Sequence, residues 1–387
     1  MSICYLVEIN NPNSNTYIKK WINEEEKLHR EDGPAYQEYT KMKVKVKNDE
    51  KGIFKYDDKL VLVKELYKIN GLYSRKEDKP NYIKYYKNGT IEHEIYYYND
   101  LIKHRTTGPA EIIYFKNGNI KTEKYYINNV HESFDEKIPF IREYALNGNI
   151  IFEISSKYIN ITNNNNDKDK DKDKDKDKDK DKDKKLERKK LERKKLYHEI
   201  KYNKSGKIIS QDVYYYSVST KFLHCETGPA KVTYYPSGCV QTKYFYVKNK
   251  LFKKIGYYDN FKLKLKNIST YSYHERFQSI NNNPSVLLFY ENGSFKLKQY
   301  HINGLLHRTD GPAVIMYNTD GSYEIRYYSN NIIHREFKPA QIKFFANGMV
   351  QSETYFNNGI FQNWDISLPY CISYNELGEI VNSKYKT

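Results

Sequence analysis

Five histidines stand five residues ahead of a proline: His29, His104, His224, His307 and His334, before Pro34, Pro109, Pro229, Pro312 and Pro339. Arginine follows four of them, as Arg30, Arg105, Arg308 and Arg335, and glycine precedes four of the prolines, as Gly33, Gly108, Gly228 and Gly311. The full form reads His307-Arg308-Thr309-Asp310-Gly311-Pro312-Ala313. Aligned imidazoles and guanidiniums could hold a metal ion or a phosphate. Spacing opposes a shared metal. Equivalent positions in successive two-strand units lie ~9.5 Å apart, given strand spacings of about 4.8 Å. Zinc ligands, each about 2.1 Å from the ion, must lie within roughly 4 Å of one another.

A catalytic centre needs one cluster of unlike groups, and here the same groups are reiterated. The chain has no nucleophile elbow, no phosphate-loop glycine pattern and no HExxH. Cys239, His274 and His301 fall where the repeat places ordinary strand or loop residues. The expectation is therefore no catalytic residue, no metal, no cofactor and no small-molecule substrate. His and Arg should tie each connector to the next hairpin by hydrogen bonds and stacking. Asp32 and Asp310, just before Gly-Pro, should act as turn acceptors.

The elements that carry these motifs follow from the same prolines. Nine residues after Pro80, Pro109, Pro139, Pro229, Pro284, Pro312, Pro339 and Pro369 stand Gly89, Gly118, Gly148, Gly238, Gly293, Gly321, Gly348 and Gly378. Asn or Asp usually precedes that glycine, a strong hairpin signal. Five residues after the proline comes an aromatic (Tyr85, Tyr114, Tyr144, Tyr234, Phe289, Tyr317, Phe344, Tyr374), and three after it usually Ile, Val or Leu. That is period two, hence a strand. Another apolar residue stands eleven after the proline, and a second aromatic about sixteen after it. A two-residue loop would set position five on the face of polar position twelve. A three-residue loop, with the glycine left-handed, sets five opposite eleven and is preferred. Second turns follow at Asn303-Gly304, Asn330-Asn331 and Asn358-Gly359. Tyr197 replaces the proline ahead of Gly206, a further degenerate unit lies near Phe252, and Lys51-Gly52 is the displaced turn of the unit from Pro34. The total is about eleven units of 27–32 residues, too short to add a helix to two strands. The expected fold is all-β, an elongated antiparallel β-hairpin repeat array, a twisted sheet or solenoid.

Composition agrees: 41 of 387 residues are tyrosine, whose ring buries area while its hydroxyl stays wet. From Asp167 to Lys184 Asp and Lys alternate with no apolar residue, a composition that stays solvated, and Leu-Glu-Arg-Lys-Lys follows twice. The chain thus divides into an N-terminal repeat block, 1–160, a low-complexity Asp/Lys and basic linker, 161–196, disordered or partly helical, and a C-terminal repeat block, 197–387. Cys4, Cys225, Cys239 and Cys371 form no CxxC pair, Met1 to Asn10 has no signal-peptide pattern, and no run approaches a membrane span. A soluble, intracellular, reduced protein is expected, not a secreted one.

The pattern Tyr-x-x-Asn-Gly … His-Arg-x-x-Gly-Pro-Ala resembles MORN-variant repeats, the short MORN-like β-hairpin repeats of antitoxin-like bacterial proteins and of large DNA viruses of amoebae. The resemblance covers nearly the whole chain outside the Asp-Lys tract. Its unit is longer than the standard one, and His-Arg-x-x-Gly-Pro-Ala replaces His-Gly-x-Gly. It implies a MORN-like array, and a viral source would place the chain in host cytoplasm or virion. Such an array makes surface, so the first functional expectation is a non-enzymatic scaffold for protein–protein interaction. The alternative is a basic, Tyr-rich surface binding nucleic acid or an anionic membrane, suggested by a net charge of +16 and by Lys–Tyr interleaving. An enzyme hidden in a degenerate unit ranks last.

Overall fold

A computed structural model describes residues 3–11, 13–47, 54–75, 77–99, 101–161, 192–217, 220–260 and 262–385. Among these there is no helix, and so none long and apolar enough to cross a membrane. The Asp-Lys tract and the turn expected at Lys51-Gly52 lie outside the described residues. The chain forms two compact units, Met1–Glu199 and Ile200–Thr387.

The first unit holds five long hairpins. Their strands are Tyr5–Asn11 with Thr16–Ile22, Tyr36–Lys47 with Phe54–Leu66, Tyr82–Tyr85 with Ile91–Ile95, Glu111–Tyr114 with Ile120–Lys124, and Ile141–Tyr144 with Ile150–Ile161. The pair at Tyr5–Ile22 is a unit the proline anchors miss, because no proline stands ahead of its first strand. Glu192–Tyr202 and Ile208–Ser217 flank the next hairpin turn, at Gly206, and six more hairpins follow among the described residues, from Lys231–Tyr234 and Val240–Val247 to Cys371–Tyr374 and Ile380–Lys384. Successive hairpins join through antiparallel pairs of one kind, second strand to next first strand, as in Ile112 opposite Glu94 and Ile372 opposite Glu353.

The main hairpin turn has the three-residue form. Phe115 N–H donates to Asn119 C=O and Gly118 N–H to Phe115 C=O, with Gly118 at φ 88°. Tyr114 therefore sits opposite Ile120, position five against position eleven. The register then slips by one residue, which leaves Lys121 unpaired as a bulge. The same slip follows Tyr85, Tyr144, Tyr234, Phe289, Phe344 and Tyr374. The hairpin after Pro312 pairs without it, and the step from Pro312 to Pro339 is 27 residues, the shortest in the chain.

The connector region contains a small second hairpin that the sequence pattern shows only as a turn. Examples are Tyr126–Ile127 with Val130–His131 and Tyr328–Ser329 with Ile332–Ile333. Both turn residues are left-handed, as Asn330 at 50° and Asn331 at 69°, the two-residue turn that Asn and Gly favour. The alanine after each motif proline is 0% exposed at Ala35, Ala110, Ala230, Ala313 and Ala340. Ile83, Ile112 and Val232, three residues after their prolines, are buried as well.

Glu192–Leu196, assigned above to a helix-compatible linker, belong to the strand Glu192–Tyr202. Packing overrides the local helix preference. Leu196 is buried, and the Lys195 amine lies over the rings of Phe140, Tyr158 and Tyr197 while donating to His131 C=O.

Candidate functional site

The motif histidine accepts a hydrogen bond from the next small hairpin. His104 Nδ1 receives the N–H of Asn128 at 3.3 Å, His224 that of Lys248 at 3.2 Å, His307 that of Asn330 at 3.3 Å and His334 that of Asn358 at 3.2 Å. His29 receives Asn70 N–H at 3.2 Å across the longer second unit of the array. The backbone closes the same junction, with Asn331 N–H donating to Leu306 C=O and the Asn331 side chain accepting Leu306 N–H. Where no histidine is present, Gln278 Oε1 takes Asn303 N–H at 2.9 Å. Nothing in the histidine pattern marks that glutamine.

The motif arginine lies flat between an aromatic ring and a glycine. Arg105 Cζ is 3.8 Å from the Tyr96 ring centre, Arg308 is 3.9 Å from Tyr300, Arg335 is 3.8 Å from Tyr327 and Arg30 is 4.2 Å from Trp21. On the other side a Cβ at Gly33 would meet Arg30 Cζ at 2.9 Å, and one at Gly311 would meet Arg308 Cζ at 3.1 Å. Arg105 also donates to Pro109 C=O. The expected turn acceptors turn instead to the arginine: Asp32 accepts from Arg30 Nε at 2.8 Å and Asp310 from Arg308 Nε at 2.9 Å. Those bonds satisfy the guanidinium edge that stacking leaves exposed; Arg30 holds the Asp32 carboxyl below the usual range, and the Asn282 amide and then Arg308 do so for Asp310. In the looser copy Lys338 takes the glycine's place, and Phe337 turns left-handed and packs on Trp364.

Tyrosine supplies two further bonds between units. The hydroxyl five residues after the proline donates to a glutamate of the preceding hairpin: Tyr85 to Glu65, Tyr114 to Glu94 and Tyr144 to Glu123 at 2.7 Å, and Tyr374 to Glu353 at 3.0 Å. Tyr234 uses Gln211 in the same way. Burial, and then the facing carboxylate, push Tyr144 and Tyr374 up to about 12. The next tyrosine reaches forward: Tyr86 hydroxyl donates to Tyr114 C=O, Tyr258 to Phe289 C=O and Tyr290 to Tyr317 C=O. Phe344, which lacks a hydroxyl, stacks instead on Tyr323 of the preceding hairpin at 4.3 Å, whereas Phe289 meets Phe295 of its own hairpin at 5.2 Å.

One cluster does bring unlike groups together. Glu111, its side chain 7% exposed, has His93 Nε2 at 2.9 Å, Lys103 Nζ at 2.7 Å, Tyr126 hydroxyl at 3.2 Å and Lys124 Nζ at 3.8 Å. Burial alone would raise this carboxyl. The bonds from His93 and Lys103 and the charge of Lys124 outweigh it and hold the group at about 2. A carboxylate so stabilised is a weak proton acceptor at neutral pH. A groove of about 510 Å³ lies between the connectors His307–Gly311 and His334–Arg335, but its walls are the latch residues themselves. Among the described residues no His, Cys, Asp or Glu group has metal-site geometry.

No family model matches the chain, and no curated protein matches it. Among solved structures it is similar to TcdB2-TccC3-Cdc42, at 9% identity and TM-score 0.16 over 96% of this chain and 20% of that one. It is similar also to TcdB2-TccC3-TEV, at 8% identity and TM-score 0.13 over 99% of this chain and 24% of that one. Likenesses at those TM-scores carry no argument.

Proposed function

We propose that the chain is a non-enzymatic scaffold for protein–protein interaction, built from units of the MORN-variant kind. One observation carries the reading. The small hairpins expose one aliphatic side chain just after their turns, Leu72 and Val130 in the first unit and Leu305, Ile332 and Ile360 in the second, each 40–59% exposed. Single exposed apolar residues are ordinary on any surface. A row of them at the repeat period, on hairpins fixed to one another by the histidine bonds, is a patterned contact surface. The non-enzymatic part is supported by the engagement of the reactive groups: motif imidazoles, guanidiniums and tyrosine hydroxyls are spent on bonds between units.

Affinity capture from native cells tests this, using the wild type beside the triple variant Leu305→Ser, Ile332→Ser, Ile360→Ser. The scaffold predicts discrete proteins that survive nuclease treatment and are lost with the variant. Capture that disappears with nuclease, or that the variant leaves unchanged, overturns it.

A further inference from the structure

We propose that the long hairpin Tyr36–Lys47 with Phe54–Leu66 is a basic β-ribbon arm that enters the groove of a nucleic-acid duplex, a role beyond the protein scaffold. The ribbon departs from the repeat. Its strands are 12 and 13 residues long, against four or five in most main hairpins. Its neighbours pair with it only at its base. The preceding strand stops at Thr40, and the following strand reaches only Lys64 to Leu66. From Lys41 to Lys47, six steps at ~3.4 Å, about 20 Å of two-stranded ribbon continues beyond the sheet. Residues 43–45 and 56–60 are exposed on both faces. Two strands alone are marginal in water, so a ribbon of this length gains from a partner along it.

Register decides the chemistry of the two faces, because directly opposite residues share a face. Lys41 pairs with Leu60, Lys43 with Asp58 and Lys45 with Tyr56. That face carries three lysines, one aspartate and a tyrosine that is 60% exposed. On the other face Met42 pairs with Lys59 and Val44 with Asp57, one charge of each sign at those two pairs. The base of the arm is anchored, with Lys41 Nζ donating to Asn10 and Lys41 N–H to Asn15 C=O. Lysines two apart on a strand are ~6.8 Å apart, the axial rise of about two nucleotides on one strand of a duplex. The major groove is about 12 Å wide and admits a two-stranded ribbon that is open on both faces.

The test is fluorescence anisotropy of a short labelled DNA duplex titrated with the full chain over a range of salt. Two lysine–phosphate contacts, from Lys43 and Lys45, contribute a slope of about −1.8 in log affinity against log salt. Over a fourfold rise in salt the wild type should therefore lose about 12-fold more affinity than the variant Lys43→Ala, Lys45→Ala. The corresponding arginine variant should retain the wild-type slope. A control variant at the exposed Lys116, Lys296 and Lys343 should behave as wild type. An alanine variant with unchanged slope, an equal loss in the control, tighter binding of single strands, or binding of anionic vesicles but not duplex would each overturn the proposal.

Discussion

Replacing Gly311 with alanine places a methyl carbon 3.1 Å from Arg308 Cζ and 3.3 Å from its Nε and Nη1. The backbone there is not left-handed, so the cost comes from the guanidinium and not from φ. Arg308 must lift off Tyr300, 3.9 Å away, or lose its bond to Asp310. A stacked cation on tyrosine contributes about 0.5–2 kcal/mol. The partly exposed ion pair adds little, between about 0 and 1 kcal/mol. Against this, alanine restricts the unfolded chain and returns about 0.4–1 kcal/mol. The net is a loss of about 1 kcal/mol in the unit around Pro312. The same substitution at Gly228 meets only Cys225 Sγ, at 3.9 Å, because cysteine stands there in place of arginine. No stacking is lost, and the unfolded-state term alone predicts a gain of about 0.4–1 kcal/mol. The two variants should move in opposite directions. Unfolding of a repeat array need not be two-state, so the measurement is amide hydrogen exchange by peptide, which reports local opening. Faster exchange in the peptide across Tyr300–Ala313 for Gly311→Ala, with slower exchange across Leu223–Ala230 for Gly228→Ala, is expected. Equal shifts of one sign would refute the stacking account of the Arg-x-x-Gly spacing.

Glu111 should make the first unit acid-sensitive. Its folded-state value of about 2 lies below the ordinary 4.5, so its contribution is present above about pH 4.5 and is lost as pH falls toward 2. The difference corresponds to about 3 kcal/mol. Urea melts of wild type and Glu111→Gln should converge as pH drops, and a gap that stays constant from pH 6 to about pH 3 would count against it. At the histidine latch, His307→Gln should keep an acceptor for Asn330 N–H, as Gln278 does for Asn303, whereas His307→Leu leaves that donor without its partner at about 1–3 kcal/mol. Exchange at the Asn330 amide reads the difference, and equal protection in both variants would show that the bond is dispensable.

The hairpin frame was legible because it is periodic within a unit. Proline to glycine at nine residues, with an aromatic at five and an apolar residue at eleven, is enough to give strand, three-residue turn and register, as Tyr114 opposite Ile120 shows. The bulge at position twelve was not legible from one hairpin, since Lys121 and Glu324 are alike in polarity and only Lys121 is skipped. The period carries the signal: the one unit of 27 residues is the one that pairs straight through. Bonds between units were harder to see, because each partner is ordinary in its own strand. Glu94, Glu123 and Glu353 are unremarkable polar positions until they are set beside Tyr114, Tyr144 and Tyr374, 20 or 21 residues later.

Two of the chain's oddities then have one cause. A hairpin of four- and five-residue strands has too little face to hold itself together, so the stabilising groups must reach the neighbours. Phenylalanine would fill the strand position as well as tyrosine, but it could not donate to Glu94 or to Tyr317 C=O. Tyrosine outnumbers phenylalanine 41 to 17 in this chain, in keeping with that demand. The Gly-Pro of the motif likewise reads as a turn signal in isolation, yet at Gly33, Gly108 and Gly311 a Cβ would press on the guanidinium of the motif arginine. Cys225 tests that logic within the molecule: with arginine gone, the contact at Gly228 opens to 3.9 Å, and the glycine there is one the fold no longer requires.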